Sequence, residues 1–304
     1  TMEEGWFYEG AGIYRHVWLV KTAPLHVGPY GVFVHTQTQD SRALVTVETT
    51  VMNEYESSQG FEIVHTILDA EGKSAATEQL QNQSLRAGQT ADFPCTLTVN
   101  TPKLWSLESP YLYKLVTLIV CDGKTIDRVE TPFGIRTIHF DPNKGFFLNG
   151  KSVKLKGTNN HQDHAGVGTA IPDALQEFRI ARLKDMGSNA YRCSHHPPTP
   201  ELLDACDRLG MLVIDENRLM GTSPEIQQQL KAMILRDRNH PSVILWSLGN
   251  EEWAIEGNIM GARIASEMQA FAQRLDPTRR ITVAISGGWG YGISTVVDVM
   301  GYNY

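Results

Sequence analysis

The run Val243-Ile-Leu-Trp-Ser-Leu-Gly-Asn250 constrains this chain more than any other stretch. Apolar or small residues succeed one another from Val243 to Leu248, between Pro241 and Gly249. Such a run reads as a strand of a parallel sheet, buried on both faces. Its C-terminal tip carries Asn250, Glu251 and Glu252, and the tips of parallel strands are where α/β folds bind ligands. The competing reading is that the two glutamates open the next helix, where negative charge suits the dipole.

The flanking sequence supplies the helices that such a strand needs. From residue 145 the pattern alternates strand and helix. Lys154–Gly157 is a first strand leading into Thr158-Asn-Asn-His161. Asp173 is expected to cap a helix, with Gln176 as its capping-box partner and Leu175, Phe178, Ala181 and Met186 on the apolar face, up to Gly187. A second strand falls in Asn189-Ala-Tyr-Arg-Cys-Ser-His-His196. Thr199-Pro200 opens the next helix, whose Leu202, Leu203, Cys206 and Leu209 run to Gly210. Met211–Ile214 leads into Asp215-Glu216-Asn217-Arg218. Ser223-Pro224 starts a third helix, with Ile226, Leu230, Met233 and Ile234 on one side. A fourth carries Ile264, Met268, Phe271, Ala272 and Leu275 and ends at Asp276-Pro277. Strands follow at Ile281–Ile285 and Val296–Met300. These repeats predict a (β/α)₈ TIM barrel. About 160 residues remain from position 145, against about 250 for a whole barrel. The barrel is therefore expected to be incomplete, with six strands. A doubly wound open sheet is the alternative, without a Gly-rich phosphate fingerprint to support it.

Residues 27–140 have a different texture. Leu44–Val51 and Phe61–Leu68 alternate; Thr96–Val99, Tyr113–Val120 and Thr125-Ile126 follow, with turns at Asp69–Gly72 and Asp122-Gly123. About seven short strands without helical period predict an immunoglobulin-like β-sandwich. Residues 1–26 read as strands at the tail of a further domain, with Pro24 and Gly28-Pro29 as boundary marks. The expected division is 1–26, 27–140 and 141–304.

A formal net charge of -7 leaves no basic footprint for nucleic acid or an acidic membrane, and no apolar run approaches the roughly 18 residues of a membrane span. A soluble protein is expected, cytoplasmic or, where a longer parent carries a leader, periplasmic or secreted. Cys95, Cys121, Cys193 and Cys206 lack metal-pair spacing and read as buried thiols.

The predicted tips gather His161, Arg192, His195, His196, Asp215, Glu216, Asn250, Glu251, Glu252, Trp289, Asn303 and Tyr304 at one end of the sheet. Polar groups beside aromatic rings suit sugars, whose hydroxyls need partners and whose ring faces stack on Trp or Tyr. Glycoside hydrolysis uses two carboxyl groups, one held protonated by burial or a neighbouring negative charge. Glu251, beside Glu252, is suited to that role. A His–His–Glu metal site is the rival reading, without a helical His-x-x-x-His to support it.

The motifs carry a resemblance. Gly12-Ile-Tyr-Arg-His-Val-Trp-Leu19, Leu104-Trp-Ser-Leu-Glu-Ser-Pro-Tyr-Leu-Tyr113, Phe133-Gly-Ile-Arg136, Phe147-Leu-Asn-Gly-Lys151, Lys156-Gly-Thr-Asn-Asn-His161, Arg192-Cys-Ser-His195, Cys206-Asp-Arg-Leu-Gly210 and Arg238-Asn-His-Pro-Ser-Val-Ile-Leu-Trp-Ser-Leu-Gly-Asn-Glu251 resemble glycoside hydrolase family 2, which includes β-galactosidases, β-glucuronidases and β-mannosidases. Asn160-His-Gln-Asp-His-Ala-Gly-Val-Gly168 and Asp215-Glu-Asn-Arg-Leu-Met-Gly221 resemble its β-galactosidase branch.

The resemblance implies a jelly-roll domain, of which residues 1–26 are a remnant, then the sandwich and the barrel. It implies a retaining exo-β-glycosidase acting on terminal β-D-galactosides or related oligosaccharides. Glu251 is the implied acid/base and Asn250 the holder of the sugar 2-hydroxyl. His161 and His195 would line the sugar subsite, and Arg192 would orient a catalytic carboxylate; Trp289, from its place among the strand tips, is expected to bind substrate as well. Tyr304 would touch the nucleophile, a Glu expected beyond residue 304; Glu256 lies too close to Glu251 in sequence to be that group. No cofactor is implied. The magnesium-binding galactosidases carry Glu and His where this chain reads Asn217-Arg218-Leu219-Met220, so no metal is expected. The alternatives are a β-glucuronidase, an inactive or complementing fragment, and a homo-oligomer covering the open barrel edge.

Overall fold

The computed structural model describes residues 12–304, which form two units. One contains residues 17–154 and 239–241. The other contains residues 155–238 and 242–304, with the segment through His16. Of the strands expected before residue 27, those on residues 1–11 lie outside the described residues, and residues 12–24 form none.

The first unit is the sandwich. Its strands are β1 (Leu25–Gln39), β2 (Arg42–Asn53), β3 (Gln59–Leu68), β4 (Ser74–Leu85), β5 (Thr90–Asn100), β6 (Tyr113–Cys121) and β7 (Lys124–Phe133). They pair in two antiparallel sheets, β1-β2-β5 and β4-β3-β6-β7. Alternation sends Val45, Val47 and Val51 of β2, Ile63 and Ile67 of β3, and Leu115 and Ile119 of β6 into one core. Gly28-Pro29 does not mark a boundary as expected; it sits inside β1, where the register with β2 shifts between Val27 and Val32. A bulge tolerates proline because the ladder there asks for no N–H. Three short strands, β8 (Ile138–Asp141), β9 (Gly145–Leu148) and β10 (Lys151–Ser152), make a small meander. Cys121 is half-buried rather than buried; the other three thiols are buried.

One inward position of β3 is polar. His65 is fully buried, its Nδ1 3.1 Å from the Thr117 hydroxyl and its Nε2 3.4 Å from that of Thr49. Burial pushes the imidazole pKa down from 6.5 to about 4. Between these values the unfolded chain binds a proton that the folded sandwich refuses, so stability falls as pH drops from 6.5 toward 4. The full loss is about 3 kcal/mol. His65→Gln removes the titration while keeping polar atoms for both hydroxyls. Urea midpoints at pH 7.5 and 4.5 should therefore lie closer together in the variant than in the parent chain.

The second unit alternates β11 (Gly157–Asn160), α1 (Asp173–Asp185), β12 (Ala190–Cys193), α2 (Pro200–Leu209), β13 (Leu212–Glu216), α3 (Pro224–Asp237), β14 (Val243–Asn250), α4 (Ile259–Leu275), β15 (Arg280–Ile285) and β16 (Val299–Tyr302). The six strands are parallel and lie in sequence order. A doubly wound sheet reverses its order at a switch point; a barrel does not. The unit is a half-barrel. Every residue of β14 is buried. Trp246 and Leu248 join the core that also contains Leu230, Ile234, Met268 and Ala272 of α3 and α4. The Trp246 Nε1–H donates to the Asp276 carboxylate at 2.8 Å, and Arg279 pairs with that carboxylate at 2.7 Å.

The ends of elements differ from expectation in places. β11 runs Gly157–Asn160, later than Lys154–Gly157, and β16 runs Val299–Tyr302, later than Val296–Met300, after a 3₁₀ turn at Gly292–Thr295. Asp173 is not the cap of α1. The cap is Pro172, which makes no side-chain cap, and the Asp173 carboxylate instead accepts from His16 Nε2 at 2.9 Å. The expected apolar face of α1 is also displaced. Phe178 and Met186 are exposed, while Gln176 and Ile180 are buried. Phe178 keeps its ring under the Arg182 guanidinium, 5.4 Å away. α2 and α3 start at Thr199-Pro200 and Ser223-Pro224 as expected, and the Ser223 side chain accepts from the Ile226 N–H. Among the described residues no helix is long and apolar enough to cross a membrane.

Candidate active site

The barrel strands bring four of the seven predicted site residues into one hydrogen-bonded network, reached from the strand tips. Its hub is Glu216, fully buried at the end of β13. Glu216 Oε2 accepts from Arg192 Nε at 3.0 Å, from a terminal nitrogen of the same guanidinium at 2.7 Å and from the Ser247 hydroxyl at 2.8 Å. Oε1 lies 2.5 Å from His195 Nδ1. Period-two alternation explains the split between neighbours. Glu216 and Ser247 meet on one face, whereas Asp215 takes the other. There burial, then the negative charge of Asp237, pushes the Asp215 carboxyl well above the ordinary carboxylate range.

Arg192 extends the network to β14, donating to Asn250 Oδ1 at 2.8 Å. Because a guanidinium only donates, this contact fixes the Asn250 amide with its oxygen toward Arg192. Asn303, just past β16, donates from Nδ2 to Asn250 Oδ1 at 3.0 Å and to Glu251 Oε1 at 2.5 Å. With Asn250 Oδ1 doubly bonded, its Nδ2 is the end left to meet a ligand hydroxyl. Glu251 itself sits at φ 49°, a left-handed conformation that costs a non-glycine residue on the order of 1–3 kcal/mol and collects at functional positions. Its N–H donates to the Ala284 carbonyl at 2.9 Å, which ties the strained residue to β15.

The other predicted residues fall around this network. The His161 ring meets that of His195 edge-on, with centroids 5.8 Å apart, and its carbonyl accepts from Arg179 at 2.9 Å. Trp289 is half-exposed and stacks obliquely on Tyr302, 5.9 Å away. Tyr304 is 99% exposed. Arg192 reaches Glu216 and Asn250 rather than Glu251. The network also includes Glu216, Ser247 and Asn303, which belong to no predicted role. Asn303 and Glu216 stand at strand tips; Ser247 stands mid-strand, and nothing in its sequence setting separates it from a core residue.

The residues matching known proteins cover both units. The family described as "Glycosyl hydrolases family 2" matches residues 26–136. The description "Glycosyl hydrolases family 2, TIM barrel domain" matches residues 142–303, more than half of the chain. The chain belongs to glycosyl hydrolase family 2. A Bacteroides ovatus relative within this family, named beta-galactosidase BoGH2A, is 37% identical across 98% of this chain and 40% of its own length. A Bacteroides fragilis beta-glucuronidase is 32% identical across 90% of this chain and 42% of its own. The crystal structure of a family member from Bacteroides cellulosilyticus superposes with a TM-score of 0.91 at 37% identity, over 98% of this chain and 42% of that one. The chain thus spans about two fifths of the length of these family members.

Proposed function

We propose that this chain carries the acid/base half of a retaining exo-β-glycosidase, with terminal β-D-galactosides as substrate. The observation that carries the reading is the Asn303–Glu251–Asn250 arrangement: a carboxyl on a strand tip, held by one amide, beside a second amide with a donor to spare. In this reading Glu251 gives its proton to the glycosidic oxygen as the bond to the anomeric carbon breaks. A second carboxylate bonds that carbon from the opposite face, and Glu251 then takes a proton from the water that releases the sugar. The second carboxylate is a further Glu outside this network, as the family resemblance implies. Glu216 is a poor candidate because both its oxygens already accept. Asn250 Nδ2 holds the sugar 2-hydroxyl, His161 and His195 flank the ring, and Arg192 positions Glu216 and Asn250. Trp289 and Tyr304 supply aromatic edges.

The β-galactosidase name of the Bacteroides ovatus relative supports the galactoside, and the name of the Bacteroides fragilis relative supports a second reading, β-glucuronide hydrolysis. Hydrolysis of nitrophenyl β-galactoside and β-glucuronide by the purified protein separates them, with the first-formed anomer followed by NMR. The expected result is release of β-galactose before mutarotation, at about ten times the rate on the glucuronide or more. The reverse preference makes the protein a β-glucuronidase. Binding of a galactose-shaped iminosugar without turnover of either substrate makes the chain a sugar-binding piece that needs its complement.

A further inference from the structure

The turn after Glu251 presents a side chain that the scheme above leaves without a task. Trp253 is 84% exposed, although an indole is among the largest apolar groups a chain can bury. Among the described residues no aromatic ring or cation packs on it.

The turn beneath it is firmly fastened. The Trp253 N–H donates to the Glu251 carbonyl at 2.9 Å, and the N–H groups of Ile255 and Glu256 donate to that of Glu252 at 2.8 and 3.0 Å. The Glu256 side chain, 4% exposed, accepts from the Ser286 N–H at 3.1 Å, the Ser286 hydroxyl at 2.9 Å and the Gly287 N–H at 3.2 Å. Its carbonyl accepts from the Ile293 N–H at 2.9 Å. The two loops are pressed so close that a Cβ on Gly292, at φ 63°, would meet the Glu256 carbonyl oxygen at 2.1 Å. Glu256 is therefore the bolt between the β14 and β15 loops. The indole stays exposed on a rigid support, not on a frayed segment.

A general acid protonates the oxygen of the group that leaves, so the leaving group lies on the acid's side of the bond being broken. Trp253, two positions from Glu251 with its N–H on the Glu251 carbonyl, carries an exposed aromatic face next to the acid in the chain. We infer that Trp253 is the platform for the leaving sugar, stacking its indole on the C–H face of a pyranose. The inference rests on Glu251 as the acid. It makes oligosaccharides, rather than glycosides of small alcohols, the substrate class.

The test is binding, followed by calorimetry or ligand-observed NMR, of a β-galactosyl disaccharide and of methyl β-galactoside to the protein, W253A and W253F. An indole at this exposure contributes little to folding, so both variants should fold. The expected result is that the disaccharide binds the parent protein about tenfold tighter than the methyl glycoside. W253A should erase that difference, W253F should restore part of it, and methyl galactoside affinity should stay within about twofold. A preference for the disaccharide that survives in W253A, or is missing from the parent protein, overturns the platform while leaving the sugar site standing. Binding of neither sugar to the parent protein overturns the galactoside site, and the platform with it.

Discussion

Glu251→Gln is expected to lower the hydrolysis of a β-glycoside with a sugar or alkyl leaving group by about 10²- to 10⁴-fold, with little change in stability. The substitution is near-isosteric, and the new amide oxygen can still accept from Asn303 as Oε1 does now. The φ of 49° at this position costs Gln what it costs Glu, so thermal unfolding should shift by no more than about 0.5 kcal/mol equivalent. What disappears is the proton. A dinitrophenyl glycoside, whose leaving group needs none, should keep far more of its rate in the first step and then stall, because the amide cannot activate water. Azide, which attacks the glycosyl-enzyme without losing a proton, should restore turnover and release the β-glycosyl azide. Equal losses on good and poor leaving groups, with no azide effect, would remove Glu251 from the acid/base role and leave it a structural tip residue.

The sequence reveals the barrel unit more fully than the sandwich, for a physical reason. Parallel strands covered by helices must be apolar throughout, so Val243–Leu248 is visible without any partner. β4 is the opposite case: Ser74–Leu85 is polar along most of its length and exposed at most positions. It is a strand because β3 pairs with it, and alternation cannot reveal a strand with little to bury. α1 misleads in its own way. Phe178 and Met186 suggest a core face, yet Gln176 and Ile180 are the buried pair. The helical period identifies which residues share a face, not which face finds a neighbour. The candidate site divides similarly. Asn250, Glu251, Arg192 and His195 stand out because charged and amide groups at strand tips are chemically conspicuous. The pairing among them is not legible, since Arg192 could have reached either carboxylate. Only the register of β12, β13 and β14 brings Arg192 to Glu216 and Asn250. Ser247 and the bolt formed by Glu256 depend wholly on that tertiary placement.

Arg192→Met is expected to be the most destabilising single change in the network. Glu216 is fully buried and its Arg192 partner is 12% exposed, so removing the guanidinium leaves a buried carboxylate with only the Ser247 hydroxyl and His195. Stripping one partner from a buried ion pair typically costs about 3–5 kcal/mol, more than the pair contributes over an apolar replacement. Differential scanning calorimetry should place the barrel transition about 10 °C lower. Arg192→Lys should fall between, because an ammonium cannot reproduce the fork that meets Glu216 from Nε and a terminal nitrogen while reaching Asn250. The decisive variant is the double one. Arg192→Met with Glu216→Gln removes the stranded charge, and the neutral amide can still engage Ser247. Much of the lost stability should therefore return, although Asn250 would keep only Asn303 of the two donors that orient it and sugar affinity should stay low. If the double variant is no more stable than Arg192→Met alone, the cost lies in lost guanidinium packing rather than in the buried charge. Arg192 would then be a spacer between strand tips, and the orientation of Asn250 would rest on Asn303.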